Sequence, residues 1–165
     1  MDWISHQLGL MAPADLAAIV VTLLLIRLAR HAGMWIYAVI ALPGTVVHEL
    51  AHYAVALVLG ARPLFPSLVP IRTERGWQLG DVKFRAGHLR GMLVGLAPLL
   101  LAPLALWWGK TLLAPATWPL YGLHVWIVAA LLRACFPSRA DWKLALPALA
   151  ILIPLALLVG WYFSR

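Results

Sequence analysis

The sequence predicts an all-α polytopic membrane protein of about five transmembrane helices, with a small β-hairpin between the second and the third. Three observations carry this. Hydrophobic residues make up 64% of the 165 and charged residues 12%, where soluble domains sit near about 45–50% and 25%. The apolar residues gather into stretches close to the roughly 20 residues that a span requires. A single long polar stretch, residues 62–90, separates them. A water-soluble fold of this size has no means of hiding so much apolar surface, and a disordered chain needs low hydrophobicity. The lone cysteine, Cys135, excludes an internal disulfide framework and a cysteine-built zinc site.

Each element follows in order. The first span is expected over residues 12–29, with Asp15 and Arg27 near its ends, where they reach the headgroups. Residues 1–10 carry Asp2 and no Lys or Arg, so no cleavable signal peptide is expected there. The second span covers 32–61 and contains one charged residue, Glu49. Pro43-Gly44 within it would break or bend the helix and open a cavity to water, or make a simple kink or a loop. The third span, 91–109, and the fourth, within 111–132, carry no acidic or basic side chain except Lys110 between them; Pro119 suits a first helical turn. The fifth, 144–163, is interrupted by Pro147 and Pro154. In the polar stretch, 67–73 and 77–84 flank Glu74-Arg75-Gly76, which reads as two strands about a turn. Pro70 weakens the first strand or puts it at an edge. The whole of 1–165 reads as one membrane-embedded domain, with 62–90 as a loop on the cytoplasmic side.

That orientation comes from counting basic residues. Five spans put Arg62, Arg72, Arg75, Lys83, Arg85, Arg90, Arg133, Arg139 and Lys143 on one side, and Arg27, Arg30, Lys110 and Arg165 on the other. The richer side is cytoplasmic by the positive-inside rule, and Trp35, Trp107, Trp108, Trp118 and Trp161 fall at the opposite boundary as an aromatic belt. Arg133 and Lys143 read as interfacial anchors. The formal charge of +7 is the signature of basic loops meeting an anionic lipid bilayer, and no nucleic-acid partner is expected. Low acidic content, high Leu and Ala usage and the lack of a eukaryotic targeting pattern point to a bacterial inner (plasma) membrane.

The second span carries His48-Glu49-Leu50-Ala51-His52. Residues four apart share one face of a helix, so His48 and His52 can grip one zinc ion together. Glu49 is offset by one residue and faces the reacting water instead, as a general base. About 0.003 occurrences of this pattern are expected by chance from the composition. A carboxylate in an otherwise apolar span is also costly, by about 2.5–3.5 kcal/mol or more at the bilayer centre. The bland reading is a polar cluster bonding neighbouring helices.

Catalytic zinc takes three protein ligands plus water. The third candidate is one of Asp141, Asp81, His88 and His124. His52 lies about 8 residues, hence about 12 Å, from the cytoplasmic end of its span. Asp141 stands at the cytoplasmic entrance of the fifth span, on the same side, and is favoured. His124 lies deeper and towards the other side. Asp81 and His88 reach the site only if the long loop folds back. Ser138-Arg139-Ala140-Asp141 also fits an N-terminal capping box, and a cap can fix the helix that presents the carboxylate.

The His48–His52 element in a hydrophobic span resembles the site-2 protease family of intramembrane zinc metalloproteases. Gly95-Leu96-Ala97-Pro98 looks like a loose version of that family's Gly-Pro helix, and Pro137-Ser138-Arg139-Ala140-Asp141-Trp142 resembles the aspartate motif of its compact bacterial members. The likeness runs from Pro43 to about Leu146. It implies a zinc metalloprotease with one Zn2+ per chain, held by His48, His52 and Asp141, with Glu49 catalytic. It implies hydrolysis of peptide bonds in membrane-embedded or membrane-proximal parts of a transmembrane protein substrate. Where the family commonly has Asp-Gly, this chain has Asp141-Trp142. The alternative is a non-proteolytic zinc-binding membrane protein, in metal transport or as an assembly factor; the near-bare spans other than the second speak against transport.

Overall fold

A computed structural model describes residues 11–73 and 76–164. It is helical apart from one two-stranded antiparallel hairpin. Among the described residues the helices are α1 (Pro13–Leu28), α2 (Met34–Val58), α3 (His88–Leu96), α4 (Leu101–Leu112), α5 (Leu120–Ala134) and α6 (Arg139–Phe163); the strands are β1 (Ile71–Thr73) and β2 (Gly76–Gln78). Short 3₁₀ turns, Ala29–His31 and Ala97–Leu100, join α1 to α2 and α3 to α4.

Three segments among the described residues are long and apolar enough to cross a membrane: α2, α6, and His88–Leu112, which is α3 and α4 taken together. Twenty-five residues of α-helix extend about 37 Å, more than the roughly 30 Å of hydrocarbon. The expected five spans are therefore found as three of full length, with α1 and α5 at 16 and 15 residues. The first span closes early because a 3₁₀ turn begins at Ala29. The fourth starts late because Pro119 stands at the N-cap instead of inside the first turn.

Helix α2 is continuous through Pro43, so of the expected break, bend or kink the break is not found. The missing proline amide is tolerated inside a bundle because other donors serve the neighbouring carbonyls. The Trp126 indole N–H donates to the Ile40 carbonyl at 2.9 Å, and the Thr45 hydroxyl to that of Ala41 at 3.2 Å. Gly44 makes a close crossing: a Cβ there would sit 2.5 Å from the Ala130 carbonyl oxygen. The pairs Ile40–Trp126, Gly44–Ala130 and His48–Ala134 share one offset along the chain, so α2 and α5 run parallel and in register. At its far end α2 stops at Gly60, whose φ of +65° suits a residue without a Cβ, and the Ala61 N–H turns back to the Ala56 carbonyl.

The main core is a seam of α1, α4 and α5 built on Ile19, Ile26, Ala105, Leu113, Val125 and Val128. On the other flank, α3 lies tightly against the first turns of α6. A Cβ on Gly95 would meet the Asp141 carbonyl oxygen at 2.6 Å. Beyond Leu149 every described residue of α6 is exposed. A helix apolar on all sides with nothing covering it has lipid as its solvent. Helix α6 itself begins five residues before the expected span, at Arg139, because the Ser138 cap starts it there.

The hairpin is shorter than the sequence suggests. Ile71 pairs with Gln78 and Arg72 with Trp77; Glu74 and Arg75 lie outside the described residues. Pro70 ends the regular ladder, as expected, and pairing resumes beyond it at an isolated Ser67–Asp81 bridge and at Leu64 N–H to Lys83 O, 2.8 Å. Of the aromatic belt, Trp35, Trp107, Trp118 and Trp161 are exposed, but Trp108 turns inward and donates its indole N–H to His124 Nδ1 at 3.2 Å.

The Gly44 crossing gives a direct stability test. Gly44→Ala sets a methyl against backbone that has no room to yield, so a loss of about 1–3 kcal/mol is expected. Unfolding of the purified protein in detergent by graded denaturant measures it; an unchanged midpoint would show that α2 and α5 do not touch there.

Candidate functional site

Among the described residues, the buried polar or charged side chains are Glu49, His52 and Asp141, at 7%, 5% and 7% exposure. They gather, with half-buried His48, at one cleft of about 540 Å³. Burying ionisable groups in an apolar bundle is unfavourable unless something of opposite charge joins them. The geometry indicates what that is.

Residues His48 and His52 stand one turn apart on α2, and each ring is locked by a carbonyl from a different neighbour. His48 Nδ1 is 2.7 Å from the Ala134 carbonyl oxygen at the end of α5. His52 Nδ1 is 2.7 Å from the Val94 carbonyl oxygen on α3. A carbonyl only accepts, so both Nδ1 atoms carry the proton and donate it. In each neutral ring Nε2 is then a bare lone pair. Those two Nε2 atoms lie 3.3 Å apart, and the Asp141 carboxylate faces both, with Oδ1 3.2 Å from His52 Nε2 and Oδ2 3.5 Å from His48 Nε2. Two lone pairs and an anion converge on one point, an arrangement that requires a cation, whether a metal ion or a proton.

The donor set fits a metal. Two imidazole nitrogens each about 2.05 Å from a tetrahedral centre lie about 3.3–3.4 Å apart, the separation found here. Donation of Nδ1–H to a backbone carbonyl is the usual outer-shell support of a metal-binding imidazole. One donor atom from each of His48, His52 and Asp141 falls within a common 4.8 Å, and the cluster can hold a metal ion.

The local sequence explains how Asp141 arrives. Ser138 caps α6: its backbone N–H donates to Asp141 Oδ2 at 2.5 Å, and its hydroxyl accepts from the Asp141 N–H at 3.3 Å. The cap engages Oδ2 and leaves Oδ1 open towards the imidazoles. Gly95 then lets α3 approach the Asp141 backbone, while Val94, one residue before, holds His52. A single turn of α3 thus sets both ligands.

Of the four candidates for a third ligand, the structure brings Asp141 to the histidines. His124 is turned to Trp108. His88 is exposed at the start of α3. Asp81 lines the cleft, but its backbone is engaged with Ser67 and it is outside the cluster. Asp141 wins because its helix enters the bundle beside α3.

Glu49 lines the same cleft. The extended segment after β2 lies over it: a Cβ on Gly80 would be 2.6 Å from Glu49 Oε1 and from Glu49 Cγ. Gly80 therefore fixes how closely the loop covers this carboxylate. A glycine in extended chain is the usual mark of such an approach, and it is the signal in the residues that points to Gly80. Arg133, expected as an interfacial anchor, is half-buried at the cleft wall, its guanidinium 4.9 Å from the Tyr37 ring centre. The long side chain leans inward over an aromatic face that offers it a partner.

No family model, curated protein or solved structure matches the chain.

Metal content follows from the cluster. The purified protein is expected to retain close to one divalent ion per chain, and His48→Ala, His52→Ala and Asp141→Ala each to lose most of it, as read by plasma mass spectrometry after dialysis. Equal metal in all three variants and the parent would mean that the ion sits elsewhere.

Proposed function

We propose that this chain is a zinc-dependent intramembrane endopeptidase, similar to the compact bacterial members of the site-2 protease family. The observation that carries the proposal is the convergence of His48 Nε2, His52 Nε2 and one Asp141 oxygen, beside a buried glutamate one residue after the first ligand. Two nitrogens and one oxygen make a borderline donor set that suits zinc, and three protein ligands leave a position for water.

When bound, zinc supplies Lewis acidity to a water molecule and to the carbonyl of the scissile amide. The chain's residues do the rest. Glu49 accepts the proton of the attacking water on a carboxylate oxygen and returns it to the departing amine nitrogen. The Ala134 and Val94 carbonyls hold the rings in the tautomer that presents Nε2. The cleft, bordered by β2 and the extended segment that follows it to Val82, suits a locally unwound peptide. That segment can take the peptide by main-chain hydrogen bonds, as edges of sheets do.

The parallel arrangement of α2 and α5 supports the five-span topology, since a chain that returns to run in the same direction must cross back between them, and His88–Leu112 is long enough to do so. In that topology the site opens towards the side that holds the hairpin, which the distribution of basic residues makes cytoplasmic, in a bacterial inner membrane. The substrate is a transmembrane protein.

Two variants test the reading. Glu49→Gln is expected to keep its metal and to cleave about 10²–10⁴-fold more slowly; cleavage at the parent's rate would remove the general base. Gly80→Ala is expected to keep its metal too, and to lose activity by pushing the Glu49 side chain from its position. Metal bound by the parent protein without cleavage of any transmembrane substrate would leave metal binding as its sole property.

A further inference from the structure

A second cleft, of about 510 Å³, adjoins the first and is lined by Arg30, Met34, Tyr37, Trp77, Leu79 and Arg133. Trp77, Leu79 and Arg133 line both clefts, so the two lie side by side along the same residues. Two guanidinium groups converge in the second. The Arg30 guanidinium carbon is 5.5 Å and that of Arg133 4.9 Å from the centre of the same Tyr37 ring. These residues come from opposite ends of the chain's crossing pattern: Arg30 lies between α1 and α2, Arg133 in the last turn of α5. Neither has a carboxylate partner among the described residues, whose acidic side chains are Asp15, bonded to Tyr121, and Glu49, Asp81 and Asp141 at the first cleft. Two like charges stand over one tyrosine ring, and a tyrosine quadrupole does not neutralise them. Half-buried Arg133, without a carboxylate partner among the described residues, is the kind of cation that marks a binding site in a membrane protein.

We infer that Arg30 and Arg133 form an anion-recognition subsite beside the substrate cleft, taking the carboxylate of an acidic side chain in the bound peptide. This rests on the endopeptidase reading. The adjacency of the two clefts is what favours a peptide over a free lipid phosphate: a ligand reaching from Glu49 to Tyr37 must be long and thin, and must lie along Trp77 and Leu79. The spacing sets where the acid falls. Tyr37 and His48 are eleven residues apart on α2, about 16 Å at 1.5 Å per residue. An extended peptide covers that in about five residues at 3.3 Å each. The guanidinium fork suits a carboxylate, which it binds with two parallel hydrogen bonds.

The test uses full-length protein in detergent and a set of 24-residue Leu/Ala peptides with a Gly-Asn centre, in which one Glu, or one Gln in its place, is moved residue by residue. Binding is measured on the Glu49→Gln protein, so the readout does not depend on turnover, and cleavage is measured on the parent. The expected result is that one Glu position, about five residues from the cut, binds about ten- to a hundredfold more tightly than its Gln counterpart. Arg30→Gln or Arg133→Gln is expected to bring that ratio close to one, and Arg133→Lys to restore part of it. No Glu position preferred in the parent, with cleavage intact, overturns the subsite and leaves the protease reading standing. Binding discrimination without any cleavage upholds the subsite and removes the protease reading. Loss of phosphatidylglycerol retained in native mass spectra of the Gln variants, with no peptide discrimination, would assign the pair to a lipid phosphate and overturn the proposal.

Discussion

Two backbone carbonyls decide the chemistry of this protein. Ala134 O and Val94 O each take the Nδ1 proton of a histidine, and so both Nε2 lone pairs are turned onto the Asp141 carboxylate. Without a cation among them, three electron-rich groups would face each other in a low-dielectric bundle, where such a contact is strongly unfavourable. The helix crossings serve this arrangement. Gly44 brings α5 close enough for its last carbonyl to reach His48, and Gly95 brings α3 close enough to α6 for one turn to support His52 and Asp141 together.

The surrounding solvent explains why so few residues have to do this. In hydrocarbon, helix association is driven by close packing of small residues and by polar contacts, because lipid is as apolar as leucine. Gly44, Gly95, Ala130 and Ala145 occupy the contacts, while leucines and isoleucines of α1, α2 and α6 face outward. The polar contacts are concentrated where the helices meet the cleft. Peripheral ones are few: Tyr121 with Asp15 on α1, and Trp108 with His124. The outer half of α6, exposed on every side, contributes length across the membrane and nothing to the site.

Much of this was legible in the residues. The two histidines at helical spacing and the glutamate after the first were readable because an α-helix converts sequence distance into a shared face. Asp141 was readable as a capping residue, since Ser138 stands three positions before it, and as a ligand candidate from the side of the membrane on which its helix starts. What escaped has a common cause. Gly80 against Glu49, Arg133 over Tyr37 and the inward turn of Trp108 are contacts between segments far apart in the chain, and no local pattern encodes them. Pro43 left break, bend and kink open for a related reason: the carbonyl beside it is served by a donor that α5 brings from 83 residues later, at Trp126. The strands are shorter than the pattern suggests because Pro70, which has no amide to donate, precedes a ladder of three residues a side.

The central claim is that two imidazoles and one carboxylate share a single metal ion. X-ray absorption at the zinc edge of the purified protein addresses it most directly. A first shell of nitrogen and oxygen at about 2.0–2.1 Å is expected, with the outer-ring scattering of two imidazoles and no sulfur. A shell at about 2.3 Å, signifying sulfur from Cys135, or a spectrum without imidazole scattering, would contradict it.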